Sequence, residues 1–223
     1  MKVRINSQVG RRIHHELDAA KRLLEAITPA VSVYGGARVK VDDPYYRAAQ
    51  EFARAVSELG VSVISGGGPG IMEAANKGCQ EGKEGTSIGL NIILPFEATH
   101  NAYQDVSISF DHFAARKVAF SKYAMTFVAF PGGFGTLDEL FEVLTLIQTG
   151  KMPEIPVLLY GREFWDGMLE WMGRAMLPRG WVSAEDLTSR VRVVDSIPEA
   201  LAIISELLPK APVLQPEASE ALA

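Results

Sequence analysis

Met125-Thr-Phe-Val-Ala-Phe-Pro-Gly-Gly-Phe-Gly-Thr-Leu-Asp-Glu139 is the stretch on which the fold turns. Its first six residues form an apolar run without helical spacing, short enough for a strand buried on both faces. Proline and two glycines stop that strand. Gly135 to Thr149 then takes up the helical pattern, with Leu137, Leu140, Leu144 and Ile147 on one core-facing stripe. A strand that ends on glycine and runs straight into a helix is the repeating joint of a parallel α/β sheet.

The joint recurs in both directions. Ala30–Tyr34 is a β-rich run that stops at Gly35-Gly36, before a helix over Pro44–Leu59 with proline in its first turn and Gly60 just past its end. Val61–Ile64 breaks on Ser65-Gly-Gly-Gly-Pro-Gly70, and Ile71–Gln80 follows as a helix. Thr86–Leu94 and Asp105–Phe110 are further strands, and 112–123 is helical. Ile155–Tyr160 and Val191–Val194 alternate with helices over Phe164–Met176 and Ile197–Leu208. The expected fold is α/β: a Rossmann-like, doubly wound, mostly parallel sheet with helices on both faces, formed by one domain over residues 29–208. Residues 1–28 read as an N-terminal extension. Val9, Ile13, Leu17, Ala20, Leu24 and Ile27 give it one apolar helical stripe, opposite Arg11, Arg12, His14, Lys21 and Arg22. Residues 209–223, with prolines at 212 and 216 as well as 209, are expected to be a poorly ordered tail.

Composition narrows the function. The chain has 223 residues, 48% of them hydrophobic and 22% charged, with a formal net charge of −5. It can bury a real core, and it lacks the basic balance of a general nucleic-acid binder. No apolar run approaches the ~20 residues that cross a bilayer, and the N-terminus has no signal-peptide core. Cys79 is the single cysteine, so no intrachain disulfide can form. These features point to a cytoplasmic protein without nucleic-acid or membrane partners.

The two glycine clusters carry the chemistry. Both Gly66–Gly70 and Gly132–Gly135 sit where a strand hands over to a helix. There, free backbone N–H groups and the positive end of the helix dipole suit an anion. Gly132, Gly133, Gly135 and Thr136 in one cluster, and Gly67 and Gly68 in the other, are candidate phosphate or substrate contacts, together with Gly35 after the first strand. Neither cluster is a standard nucleotide fingerprint. From Gly66 the spacing G-x-G-x-x-G ends on Ile71, and from Gly133 it ends on Asp138; Gly82-Lys83 is followed by Glu84, so no P-loop exists.

Acidic and basic residues stand beside these loops. Asp138 and Glu139 are expected in the first helical turn, where Thr136-x-x-Glu139 has the form of a capping box. A carboxylate near an anion site is electrostatically awkward, and catalysis on a sugar attached to the anion would explain it. Arg116-Lys117 lies among Phe113, Val118 and Phe120, which favours at least one cation directed into a cleft. Glu97 follows a strand in Leu94-Pro-Phe-Glu97, and Glu73 follows the first glycine cluster as Glu139 follows the second. The four histidines and Cys79 show no metal-ligand spacing, so no metal is expected. Trp165, Trp171 and Trp181 read as core or subunit contact.

Pro131–Glu139 matches the PGGxGTxxE motif of the LOG family, the cytokinin riboside 5′-monophosphate phosphoribohydrolases, long labelled lysine decarboxylases. The resemblance covers roughly residues 30–205. It includes Gly66-Gly-Gly-Pro-Gly-Ile-Met-Glu-Ala-Ala-Asn76, Leu94-Pro-Phe-Glu97, Arg116-Lys117 and Phe141-Glu-Val-Leu-Thr-Leu-Ile-Gln-Thr-Gly-Lys151. The longer N-terminus and the spelling of the first glycine motif resemble the type II branch, which tends to assemble beyond the dimer.

The resemblance implies that Arg116 and Glu139 are catalytic. It implies that Gly132 to Thr136 holds a nucleotide 5′-phosphate and that Glu97, Lys117 and Thr145 belong to the substrate set. The implied substrate is a purine nucleoside 5′-monophosphate, split to free base and ribose 5-phosphate without a cofactor, by a homo-oligomer, either a dimer or an assembly of dimers. Ala115 stands where many relatives have Thr, and Gly36-Ala37 where Gly-Ser is commoner. Two other readings stay open: a non-catalytic nucleotide or cofactor carrier of the same fold, and a pyridoxal-phosphate decarboxylase, for which no convincing lysine is present.

Overall fold

The computed structural model describes residues 7–27, 29–94 and 100–208. Seven strands form one sheet: β1 (Ala30–Tyr34), β2 (Ser62–Ser65), β3 (Ser87–Ile92), β4 (Val106–Phe110), β5 (Thr126–Ala129), β6 (Val157–Tyr160) and β7 (Val191–Val194). The helices are α1 (Ser7–Leu24), α2 (Pro44–Glu58), α3 (Ile71–Gly82), α4 (Phe113–Lys122), α5 (Phe134–Gln148), α6 (Arg162–Ala175), α7 (Ala184–Thr188) and α8 (Ile197–Leu207). The expected α/β, Rossmann-like class is found, and every strand pair is parallel.

The side-chain alternation of buried strands divides the core in two. Tyr34, Phe127, Ala129, Val157 and Leu159 face α1, α4, α5 and α6, where Leu24, Phe120, Leu140 and Trp165 close the packing. Val31, Val33, Val128, Phe130 and Leu158 face α2, α3 and α8, meeting Phe52, Ile71 and Ile204. Two residues adjacent in sequence thus serve opposite layers, which is why the strands read as continuous apolar runs.

Strand order is β4-β3-β2-β1-β5-β6-β7. The chain winds outward from β1 to β4, then returns to the other side of β1 as β5. The order reverses between β1 and β5, and a crevice beyond the carboxyl ends of these strands follows from that reversal.

Two local readings change. Helix α1 ends at Leu24, short of Ile27, and Val9 on its apolar stripe is 40% exposed. Its tie to the body is partly polar: Glu16 accepts from the Asp111 N–H at 3.1 Å and meets His112 Nδ1 at 3.0 Å, at the start of α4. Helix α5 begins at Phe134, so Asp138 and Glu139 fall in its second turn, and its N-cap Gly133 has no side-chain cap. The capping box does not form. Trp165 is fully buried and donates to Tyr160 O at 3.2 Å, whereas Trp171 and Trp181 are exposed. The expected tail at 209–223 lies outside the described residues.

Candidate active site

Three loops meet at the strand reversal and are stitched by main-chain hydrogen bonds. Gly36 N donates to Pro131 O at 3.0 Å, joining the loops after β1 and β5. Ile71 N donates to Gly36 O at 3.1 Å, joining the start of α3 to the same point. That approach needs Gly70, whose φ of 69° is left-handed and whose α-carbon faces the carbonyls of Gly36 and Ala37. Gly132 is equally confined, because a Cβ there would stand 2.9 Å from Gly36 N.

Beyond these loops opens a cavity of about 1020 Å³. The N-terminus of α5 faces it through Gly133, Phe134, Gly135 and Thr136. With no side-chain cap at Gly133, the first N–H groups of α5 are free to receive an anion. One turn further along α5, Glu139 lines the same cavity, and Arg116 of α4 faces it from the neighbouring helix. Each is only 9% exposed. Neither has a side-chain hydrogen bond among the described residues, and Arg116 Nε is buried without a partner.

Burial governs the electrostatics. Loss of water pushes the Glu139 carboxyl from 4.5 up to about 7, against the opposing pull of Arg116 and then Lys117. Burial also lowers the Arg116 guanidinium, while Glu139 and Tyr34 act in the other direction. A carboxyl raised by burial beside a buried guanidinium, both lining one cavity, is the pairing of perturbed groups that marks a candidate functional site.

Most of the expected set converges here. Gly35, Gly68, Gly133, Gly135, Thr136, Arg116 and Glu139 line the cavity. Gly67 and Gly132 stand behind the wall. Gly67 is held there by Asn101 N and Gln104 Nε2, which donate to its carbonyl at 2.8 and 2.9 Å.

Two expected contacts lie elsewhere. Lys117 is not a lining residue: its ammonium is held at the cavity's edge by Asp138, which does line it, at 2.9 Å and by Glu142 at 2.8 Å, while its neighbour Arg116 faces inward. Thr145 is exposed on α5 and donates to Phe141 O at 2.6 Å, away from the lining. Glu97 lies outside the described residues. Glu73 differs from its counterpart Glu139. It accepts from Tyr46 Oη at 2.9 Å and borders a separate cavity of about 310 Å³.

Several lining residues were not anticipated: Tyr34, Met72, Asn91, His100 and Phe134. Behind them, Asn76 accepts from Ser65 Oγ at 2.6 Å and Asn101 Nδ2 at 2.9 Å, and donates to Ser87 Oγ at 2.9 Å, fastening the first glycine loop to β3. An asparagine in the apolar stripe of α3, after Ala74-Ala75, is the signal that would have marked it.

Residues 72–204 match the family model described as possible lysine decarboxylase. A cytokinin riboside 5′-monophosphate phosphoribohydrolase of Arabidopsis thaliana is 30% identical over 185 residues, covering 81% of this chain and 84% of that protein. Its counterpart from Oryza sativa subsp. japonica is 31% identical over 181 residues, covering 79% of this chain and 72% of the other. The chain belongs to the LOG family. The molybdenum cofactor carrier protein of Chlamydomonas reinhardtii shares the fold of this LOG-family chain. Its structure superposes with a TM-score of 0.60 at 23% identity, covering 82% of this chain and 99% of that one.

Within this LOG-family chain, no described helix is long and apolar enough to cross a membrane. No cluster of three or more metal-ligating side chains occurs among the described residues. None of the described residues lining the large cavity is a lysine, so the family's older label finds no Schiff-base donor there.

Proposed function

We propose that the protein hydrolyses the N-glycosidic bond of a purine nucleoside 5′-monophosphate, releasing the base and ribose 5-phosphate. The observation that carries this is the placement of a buried carboxylate and a buried guanidinium on one cavity wall, a turn away from an uncapped helix N-terminus. The phosphate takes the free N–H groups at Gly133–Thr136. One helical turn, about 5.4 Å, then separates it from Glu139, a span suited to the ribose between the 5′-oxygen and C1′.

When the C1′–N bond breaks, its electron pair leaves with the base and positive charge builds on the ribose. Ionised Glu139 faces that charge, water adds its oxygen to C1′, and the proton that the water gives up balances the one taken by the departing base nitrogen. Remote binding of the phosphate holds the reacting carbon in place, so anchoring energy is spent on geometry. Arg116 keeps part of the Glu139 population ionised despite burial and holds the substrate against the wall. The LOG-family relatives support this reading through the activity in their names.

The test is chromatography of AMP incubated with purified protein. Adenine and ribose 5-phosphate should appear with wild type and vanish with Glu139→Gln and Arg116→Ala, while adenosine turns over poorly. Bound AMP with no adenine would instead identify a carrier, the role named for the Chlamydomonas structure that shares the fold.

A further inference from the structure

The Arg116 guanidinium reaches the cavity across the face of the first glycine loop, with its carbon 5.3 Å from the Phe120 ring centroid. A methyl group at Gly66 would stand 2.5 Å from Arg116 Nη2 and 2.6 Å from Met72 Sδ. Both are well inside the roughly 3.5–4.0 Å of ordinary non-bonded contact. Gly66 is not among the glycines held at positive φ, and the three atoms nearest that methyl, chain neighbours aside, belong to the side chains of Arg116 and Met72. Backbone conformation therefore does not demand glycine at 66. What opposes a side chain there is the space that Arg116 and Met72 occupy.

We infer that Gly66 is a positioning residue for the reaction: the missing side chain gives the Arg116 guanidinium the place from which it acts alongside Glu139. Gly66 itself need touch no reacting atom. The inference rests on the catalytic reading of Arg116 and Glu139. The charged and titratable groups around Glu139 are Arg116 and Lys117 from α4, Asp138 and Glu142 from its own helix, and Tyr34 from β1. Arg116 gives the largest pull toward ionisation, so displacing it moves Glu139 further upward. A methyl group at Gly66 thus has two consequences, a misplaced cation and a later-ionising carboxylate. A purely structural role for Gly66 would produce neither.

Gly68→Ala, at a residue that itself lines the cavity, is the comparison for the pH midpoint and not for the rate. Its methyl group meets Met72 Cε at 2.8 Å and no atom of Arg116. Base release from AMP is measured for wild type, Gly66→Ala, Gly68→Ala, Gly66→Ala/Met72→Ala and Arg116→Ala across pH, with a thermal melt of each. Gly66→Ala should lower kcat by about 100-fold, the scale of an ångström-sized misplacement. KM should change less than kcat, because the α5 anion loop is untouched while Arg116 loses its hold on the substrate. The pH of half-maximal kcat should rise in Gly66→Ala and stay at the wild-type value in Gly68→Ala. Removing Met72 should not rescue the loss.

A wild-type kcat and pH midpoint in Gly66→Ala would overturn the inference, and so would rescue by Met72→Ala. Should Gly66→Ala/Met72→Ala fold poorly, adding Arg116→Ala should restore the melt by removing the remaining conflict; no restoration is likewise fatal. An active Arg116→Ala defeats the catalytic assignment and the inference with it. An inactive Arg116→Ala beside a normal Gly66→Ala defeats only the inference.

Discussion

Glu139→Gln should stabilise the protein at alkaline pH while abolishing its activity. Burial carries the Glu139 carboxyl from 4.5 to about 7. Between those values the folded state holds a proton that the unfolded state has lost, so stability falls as pH rises through the window. Below 4.5 both states are protonated and the penalty is absent; above 7 it is complete. At 1.36 kcal/mol per pH unit, the penalty reaches about 3 kcal/mol. Glutamine has nearly the same shape and does not titrate. The stability difference between variant and wild type should therefore be about 3 kcal/mol larger at pH 8 than at pH 4.5. For a chain of this size that is a further gain of about 6–12 °C in Tm. Urea denaturation or thermal melts at the two pH values read it directly. The same difference at both pH values would refute the reasoning, because it would mean that the carboxyl titrates as freely in the fold as out of it. Stability gained where activity is lost is the signature of a group retained for chemistry.

Two further substitutions separate the site from its frame. Lys117→Ala breaks the contacts to Asp138 and Glu142 yet should leave most base release from AMP intact, in contrast with Arg116→Ala next to it, because its ammonium lies outside the cavity lining. A total loss in the same assay would return Lys117 to the substrate set. Trp165→Ala should cost about 3–5 kcal/mol by urea denaturation, since its ring is fully buried against β6, whereas Trp181→Ala, 65% exposed, should fall within about 0.5 kcal/mol.

The fold was legible because strand burial and loop glycines are local signals. Val61–Ile64 and Phe127–Phe130 read as doubly buried strands, and both proved to send successive side chains into opposite cores. The glycine clusters marked where strands end, and the parallel order then placed them around one crevice. The start of α5 was misread because Thr136-x-x-Glu139 satisfies a local capping pattern. A tertiary demand, a carboxylate in the cavity, overrode it. Arg116 and Lys117 could not be told apart by spacing, since adjacent residues on a helix point about 100° apart and only packing shows which one faces inward. Tyr34, Met72 and Asn91 were invisible as site residues because each also fits an ordinary buried position.

On the proposed reaction, the electrostatic difficulty noted in the sequence is resolved by this division of the two cations. A phosphate at the N-terminus of α5 and an ionised Glu139 a turn away repel each other, and burial strengthens that repulsion. Helix dipole and free N–H groups offset the phosphate charge but do little for Glu139, since their effect fades within the first turn. A second positive group is needed, close to the carboxylate and buried with it. Lysine at 117 supplies the smaller share, because Asp138 and Glu142 hold its ammonium outside the cavity lining. Arg116 supplies the larger, because its guanidinium stays charged even when burial lowers its pKa. The glycine loop beneath it then matters as space as much as backbone. On this view the two glycine clusters do different work around one substrate: the cluster at 132–135 binds an anion, and the one at 66–70 leaves room for the cation that lets a carboxylate work beside it.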